Sequence, residues 1–325
     1  AFLAAAHQRG IRVLLDLVLN HTSTRHPWFQ DSRSGAMAAH RAFYDWRDTD
    51  PHWFRPWDHA NPWWADGGAF YYGLFCDCMP DLNLANPTVE QEMTDTMKFW
   101  LARGVDGFRL DAVRYLVENG NGQQADQPET HAFLKRLRAN LAAASPHAQT
   151  VGEVWTALEV QAKYYGSGDE LSLTFSFDLA DALLSSVKKG TAADVINVLA
   201  RSERAFADRN FEAPFLTNHD QVRVARAFEG DKAAERVAAA ALMAMPGTPF
   251  VYYGEEIGMT GTKPDERIRT PMRWTADPAT AGFTTGTPWE ALSEDDPATV
   301  NVATQSADPG SLLSTYRGLI AARGA

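Results

Sequence analysis

Three acidic residues each stand at the end of an apolar run: Asp111 after Val105 to Leu110, Glu153 after Thr150 to Gly152, and Asp220 after Ala213 to Thr217 with Asn218 and His219 between. A second histidine, His21, closes the run Ile11 to Leu19, and Arg109 precedes Asp111 by two positions. Alternate residues of a strand share a face, so Arg109 and Asp111 point the same way. If these runs are strands of a parallel β/α sheet, their C-terminal ends open on one face, and Arg109, Asp111, Glu153, Asp220, His21 and His219 converge there. Convergent carboxylates beside a cation suit glycoside hydrolysis. One carboxylate attacks the anomeric carbon, and a second, kept protonated by neighbouring negative charge, protonates the leaving oxygen. Arg109 would hold the attacking carboxylate ionised and oriented. Taken alone, the Arg109–Asp111 pair reads equally well as a structural ion pair.

The elements that must position these groups alternate. Strands are expected at Ile11–Leu19, Val105–Leu110, Thr150–Trp155, Leu171–Phe177, Ala213–Thr217 and Thr248–Tyr252. Helical stretches fall at Phe2–Gln8, Pro87–Ala102, Ala112–Glu118, Glu129–Ala144, Leu158–Tyr164, Leu179–Lys188, Ala192–Arg204, Lys232–Met245 and Leu312–Ala322. Apolar strands alternating with helices predict a parallel sheet. A doubly wound sheet would need a glycine-rich phosphate loop at its switch point, and none is present. Residues 22–85 carry no clear period and are rich in Trp, Pro, Asp and His, which predicts an irregular subdomain inserted after a strand. A long polar loop, Gly254–Pro309, precedes the last helix.

Composition narrows the partners. The chain has 325 residues, a net charge of −11, and 45% hydrophobic residues, enough for one large α/β domain. The charge argues against a nucleic acid or an anionic membrane. The abundant aromatic residues can stack on sugar rings or fill cores. No apolar run is long enough to span a membrane. Cys76 and Cys78 are read as free or buried thiols, with a local disulfide the less favoured alternative.

Four stretches resemble the motifs of the α-amylase family of glycoside hydrolases: Asp16 to His21, Gly107 to Asp111, Gly152 to Trp155, and Phe215 to Asp220. Their order and spacing match as well. Met79 to Asn83, and Ile268 to Trp274 after Lys263 to Glu266, are similar to the group intermediate between α-amylases and oligo-1,6-glucosidases. The resemblance implies a (β/α)8 TIM-type barrel, incomplete, with strands 3 to 8 present in residues 1–21 and 86–325 and the insert at 22–85. It implies a retaining double displacement, with Asp111 as nucleophile and Glu153 as general acid and then base. Asp220 would bind the sugar's 2- and 3-hydroxyls, Arg109 would orient Asp111, and His21 and His219 would bond the sugar before the cut. Asp16 is assigned a structural role. Retention predicts a carboxyl separation of roughly 5–5.5 Å between Asp111 and Glu153. Ala112, where relatives that cut α-1,6 bonds carry Val, implies α-1,4-glucans or malto-oligosaccharides, with transfer to a sugar acceptor as a second outcome.

Trp155 and Tyr71 are candidates for sugar stacking, with core packing as the alternative for each. The resemblance also implies a structural calcium ion at Asn20, Asp81 and the carbonyl of Tyr115, although Tyr115 stands where α-amylases usually have His. Oxygen ligands suit calcium. The alternative for Asn20 and Asp81 is hydrogen bonding to loop backbone. No organic cofactor is expected. Family barrels have two strands before the first one seen here and a β-sandwich domain after the last helix. Their lack would leave sheet edges open, so a homo-oligomer that covers them is expected. The competing functional reading is a catalytically weak fragment that only binds sugar or self-assembles.

Overall fold

The computed structural model describes residues 1–206 and 211–324. The chain divides into two compact units, one of residues 1–155 with 163–174, the other of residues 156–162 with 175–325.

The first unit is built on parallel strands. β1 (Leu14–Leu17) is followed by the short insert strands β2 (Trp46–Arg47), β3 (Trp63–Asp66) and β4 (Ala69–Tyr72), then β5 (Gly107–Leu110) and β6 (Gln149–Gly152). β1 pairs with β5 in parallel, Asp16 opposite Arg109, and β5 pairs with β6, Arg109 opposite Val151. β7 (Leu173–Phe175) begins beside β6, with Val151 opposite Leu173. Parallel strands need crossovers, and helices supply them. The helix Pro87–Leu101 follows the insert; Pro87 sits in its first turn and Asn86 caps it by accepting from the Thr88 N–H at 2.9 Å. The helix Pro128–Ala144 buries Phe133, Leu134, Leu137 and Leu141, the spacing of one helical stripe. Glu90 and Arg136 clamp these two helices with paired bonds of 2.7 and 2.8 Å.

Strand contact is close enough that one glycine, Gly107, is required by space, while a second, Gly152, is packed against a leucine side chain. A Cβ on Gly107 would lie 2.1 Å from the backbone oxygen of Gln149, and one on Gly152 would lie 2.4 Å from a methyl of Leu171. β1 is less buried than its apolar sequence suggests: Leu14 is exposed on a strand whose one partner among the described residues is β5.

The insert is more regular than expected. β2, β4 and β3 form a small antiparallel sheet. Trp63, Tyr72 and Leu74 make its core, with Trp53, Phe70, Phe75 and Tyr115 packed against them. Its strands are two to four residues long and aromatic on both faces, so no alternation marks them in sequence. Cys76 and Cys78 are joined in a disulfide, which corrects the expectation of free thiols.

In the second unit, β8 (Glu212–Ala213) is extended by bonds from the segment expected as the last strand: the Thr248 N–H donates to Glu212 O and the Phe250 N–H to Pro214 O. Phe177, Ala180 and Phe215 pack with Phe175 and Phe250. The helix Lys232–Ala244 is capped by Asp231, which accepts from the N–H groups of Ala233 and Ala234. The polar loop carries short helices at Glu255–Ile257, Asp265–Ile268 and Val302–Ser306 before the last helix, Leu312–Gly324. Among the described residues, no helix is long and apolar enough to cross a membrane.

Candidate active site

The register of β1, β5 and β6 places three acids around one arginine. Arg109 Nη1 donates to Asp111 Oδ1 at 2.5 Å and to both oxygens of Asp16, at 2.9 and 3.0 Å. Its Nη2 donates to Glu153 Oε2 at 2.6 Å. Burial would lower the guanidinium's pKa, but Glu153, Asp111 and Asp16 together outweigh it and hold it above the ordinary value. Asp16 is thus part of the charge cluster as well as of the strand. The arginine's planar fork is what lets three acids share it, Asp111 and Asp16 on Nη1 and Glu153 on Nη2.

The turn after β5 contributes a second hold on Glu153. Ala112 has a left-handed backbone, φ 48° and ψ 37°, and its N–H lies 3.3 Å from Glu153 Oε2. A non-glycine residue in that region costs about 1–2 kcal/mol. The strand ladder also continues past β6, since the Glu153 N–H donates to Leu110 O at 2.9 Å. The helix expected at Ala112–Glu118 is reduced to one turn, Val113–Tyr115, because the left-handed Ala112 breaks its start.

His21 lies in this unit too. Burial lowers its pKa, and the charge of Asp111 pulls the other way, so the ring is near enough to sense that carboxylate. Its edge meets Phe75 at a centroid distance of 5.5 Å. Trp155 is half exposed beside Glu153, and its carbonyl accepts from Arg114. Tyr71 is elsewhere: it is buried among Phe29 and Trp46, and its hydroxyl donates to Asp77 O at 2.5 Å. It belongs to the packing of the insert and has no open ring face to offer a sugar.

The residues of the calcium expectation, Asn20 and Asp81, bond to each other and to loop backbone. Asp81 Oδ1 accepts from the Leu74 N–H at 3.1 Å and Oδ2 from Asn20 Nδ2 at 3.0 Å. Burial pushes the Asp81 carboxyl up to about 7 in spite of these donors. Tyr115 packs edge-on against Trp57 and Phe75. A hard cation needs several charged or carbonyl oxygens turned inward. Here each Asp81 oxygen accepts one N–H, which is the hydrogen bonding expected as the alternative to an ion at Asn20 and Asp81. Among the described residues, Cys76, Asp77 and Cys78 are the group of three His, Cys, Asp or Glu side chains close enough to share an ion, and the two sulfurs are bonded to each other.

The third acid stands in the second unit with its own arginine. Arg269 Nη2 donates to Asp220 Oδ1 at 2.6 Å and to Asp265 Oδ2 at 2.7 Å, and its Nε donates to the His219 carbonyl at 2.9 Å. His219 Nε2 is 3.3 Å from Asp220 Oδ2, and Asn218 Oδ1 accepts from the Asp220 N–H. Sequence reasoning placed Arg269 only within a subtype motif and gave it no role. Its spacing from Asp220 carries no signal that would have found it.

The sequence profile described as "Alpha amylase, catalytic domain" matches residues 1–325, the whole chain. The chain belongs to the α-amylase family. It is 37% identical over 322 residues to α-amylase 3 of Dictyoglomus thermophilum, covering 98% of this chain and 61% of that protein. It is 35% identical to the trehalose synthase/amylase TreS of Mycolicibacterium smegmatis, covering 99% of this chain and 62% of the relative. The crystal structure of the α-amylase from H. orenii superposes with a TM-score of 0.87 at 36% identity, over 99% of this chain and 64% of that one. This α-amylase-family chain therefore has the incomplete TIM-barrel architecture its motifs imply, and it spans less than two thirds of the length of these proteins.

Proposed function

We propose that the chain is the catalytic core of a retaining glycoside hydrolase acting on α-1,4-glucans or malto-oligosaccharides, with transfer to a sugar acceptor as a second outcome. The observation that carries this reading is the shared guanidinium: Arg109 holds Asp111 on one terminal nitrogen and Glu153 on the other. Two carboxylates within the span of one guanidinium suit the short separation of a retaining pair.

The bonds already made support one choice of working oxygens. Asp111 Oδ1 is held by Arg109, so Oδ2 attacks the anomeric carbon as its bond to the leaving oxygen breaks. Glu153 Oε2 accepts from Arg109 and Ala112, so the proton delivered to the leaving glycosidic oxygen sits on Oε1. The sugar is then an ester of Asp111. Glu153, now a carboxylate, takes a proton from water as the water oxygen bonds to the same carbon and Asp111 departs. Two inversions leave the configuration unchanged. In this scheme Asp220 bonds the 2- and 3-hydroxyls, His21 and His219 bond the ring, and Trp155 stacks against it. An acceptor hydroxyl in place of water gives transfer.

The preference for α-1,4 bonds rests on Ala112, a buried residue between the two acids with a backbone that a β-branched side chain tolerates poorly. Incubation with maltoheptaose, followed by proton NMR of the anomeric signals, tests the proposal. The first reducing ends released should be α. Release of β ends would overturn retention. Equal rates from the wild type and Asp111→Asn would remove the enzyme reading.

A further inference from the structure

The scheme above uses only the carboxylate of Glu153, yet the backbone that carries it is gripped at three successive points by the segment that leaves β5. The Glu153 N–H donates to Leu110 O at 2.9 Å, and the Glu153 carbonyl accepts from the Val113 N–H at 3.3 Å. Two residues further on, the Trp155 carbonyl accepts from Arg114 Nη1 at 2.9 Å. The first two grips are backbone bonds. The third is a side chain, and it is itself held. Arg114 Nε and Nη2 donate to the two oxygens of Asp126, at 3.0 and 2.5 Å, and the Asp126 N–H donates to the Arg114 carbonyl at 2.9 Å. Tyr164, fully buried, donates its hydroxyl to Asp126 Oδ1 at 2.7 Å. Asp126 has a left-handed backbone, φ 59°, a conformation that its bonds on both sides must maintain. Residues 153–157 lie in neither helix nor strand. Val154 anchors them by burial, but burial has no direction and does not fix how the segment is turned.

We propose that Arg114, fixed by Asp126 and Tyr164, is a positioning residue for the general acid: by holding the Trp155 carbonyl it sets the direction in which Glu153 Oε1 offers its proton. The proposal rests on the hydrolase reading for the role of Glu153. A proton donor must stand within hydrogen-bond reach of the leaving oxygen, and a displacement of about 1 Å costs up to about 10²-fold in rate. Arg109 and Ala112 fix Oε2, so the placement of Oε1 follows the turn of the backbone behind it. A guanidinium suits this task better than an ammonium. One edge of the plane pairs with a carboxylate while the remaining nitrogen is aimed at a carbonyl, and the two directions are locked together. A merely structural ion pair between Arg114 and Asp126 would steady the fold and affect every substrate alike.

Two substrates separate proton delivery from the rest of the reaction. Maltoheptaose needs a proton on its leaving oxygen, whereas 2-chloro-4-nitrophenyl α-maltotrioside releases a phenolate that does not. Glu153→Gln sets the scale: it should lower kcat/KM about 10²-fold or more on maltoheptaose and far less on the aryl substrate. Arg114→Met should lower the ratio of the two kcat/KM values, maltoheptaose over aryl substrate, about tenfold, and Asp126→Asn about threefold. Trp155→Ala keeps the gripped carbonyl and removes the ring, so it should lower both values together and leave the ratio unchanged. Thermal melting followed by circular dichroism shows whether each variant folds, and Asp126→Asn decides the matter if Arg114→Met does not. A wild-type ratio in the folded variants, whether through equal losses on both substrates or no loss at all, would overturn the positioning role and leave the hydrolase reading intact. If the unmodified protein turns over neither substrate, the hydrolase reading falls and the positioning role falls with it.

Discussion

The two arginine-centred clusters, one in each unit, solve the same problem by different means. Arg109 sits in the middle of β5 between two flanking strands, 14% exposed, and its acids Asp111 and Glu153 are 21% and 15% exposed. Arg269 follows a short helix in a loop, 41% exposed, and holds Asp220 at 27%. In the first cluster the backbone ladder dictates where each group stands, and the side chains are desolvated. In the second, a loop side chain reaches an acid that ends a different segment. The first is a rigid charge network whose loss should unfold its surroundings; the second is an adjustable clamp whose loss should alter binding more than stability.

The largest effect that could break this contrast is in the acids themselves. Asp111→Asn and Asp220→Asn should each lower kcat on maltoheptaose by about 10⁴ or more, as expected when one member of a cooperating catalytic set is removed. Retained activity in either would detach that cluster from the chemistry.

The next concerns stability. Arg109→Lys loses the fork and leaves carboxylates partly buried, and should cost about 3 kcal/mol in urea unfolding. Arg269→Lys should stay within about 1 kcal/mol while raising KM severalfold. Similar stability losses in both would erase the distinction. Gly107→Ala bears on the same point, because its methyl would meet the Gln149 backbone and prise β5 from β6; a loss of about 3 kcal/mol or more is expected.

The smallest effect is a titration. Burial lowers the His21 pKa below the usual 6.5 and Asp111 partly restores it. Because the folded value lies below the unfolded one, the stability from the neutral ring is complete above about 6.5 and is lost as pH falls through the folded value. In Asp111→Asn the NMR midpoint of His21 should move further down. An unchanged midpoint would mean that His21 and Asp111 are not neighbours.

What was legible in the sequence follows the same divide. The strand-borne groups could be read because a two-residue period and a run ending in an acid are local signals: Arg109, Asp111 and Glu153 stand where that pattern places them. Arg269 was missed because its partner Asp220 lies 49 residues away, joined through loops with no period. The structural role expected of Asp16 takes a specific form, an exposed carboxylate that completes the arginine's shell; a strand acid opposite an arginine becomes visible only when the register is known. The small sheet of the insert and the buried Tyr71 escaped notice for one reason, since aromatic residues on both faces erase alternation. The Cys76–Cys78 bond turns on local backbone geometry that one intervening residue does not reveal.

The account depends most on Asp111 forming a bond to sugar. Mass spectrometry after reaction with 5-fluoro-α-glucosyl fluoride, which slows release of the covalent intermediate, tests this directly. The account predicts a single hexosyl adduct on the peptide that carries Asp111, absent from Asp111→Asn. A turned-over reagent with the adduct on Glu153 or Asp220, or an equal adduct in Asp111→Asn, would contradict it.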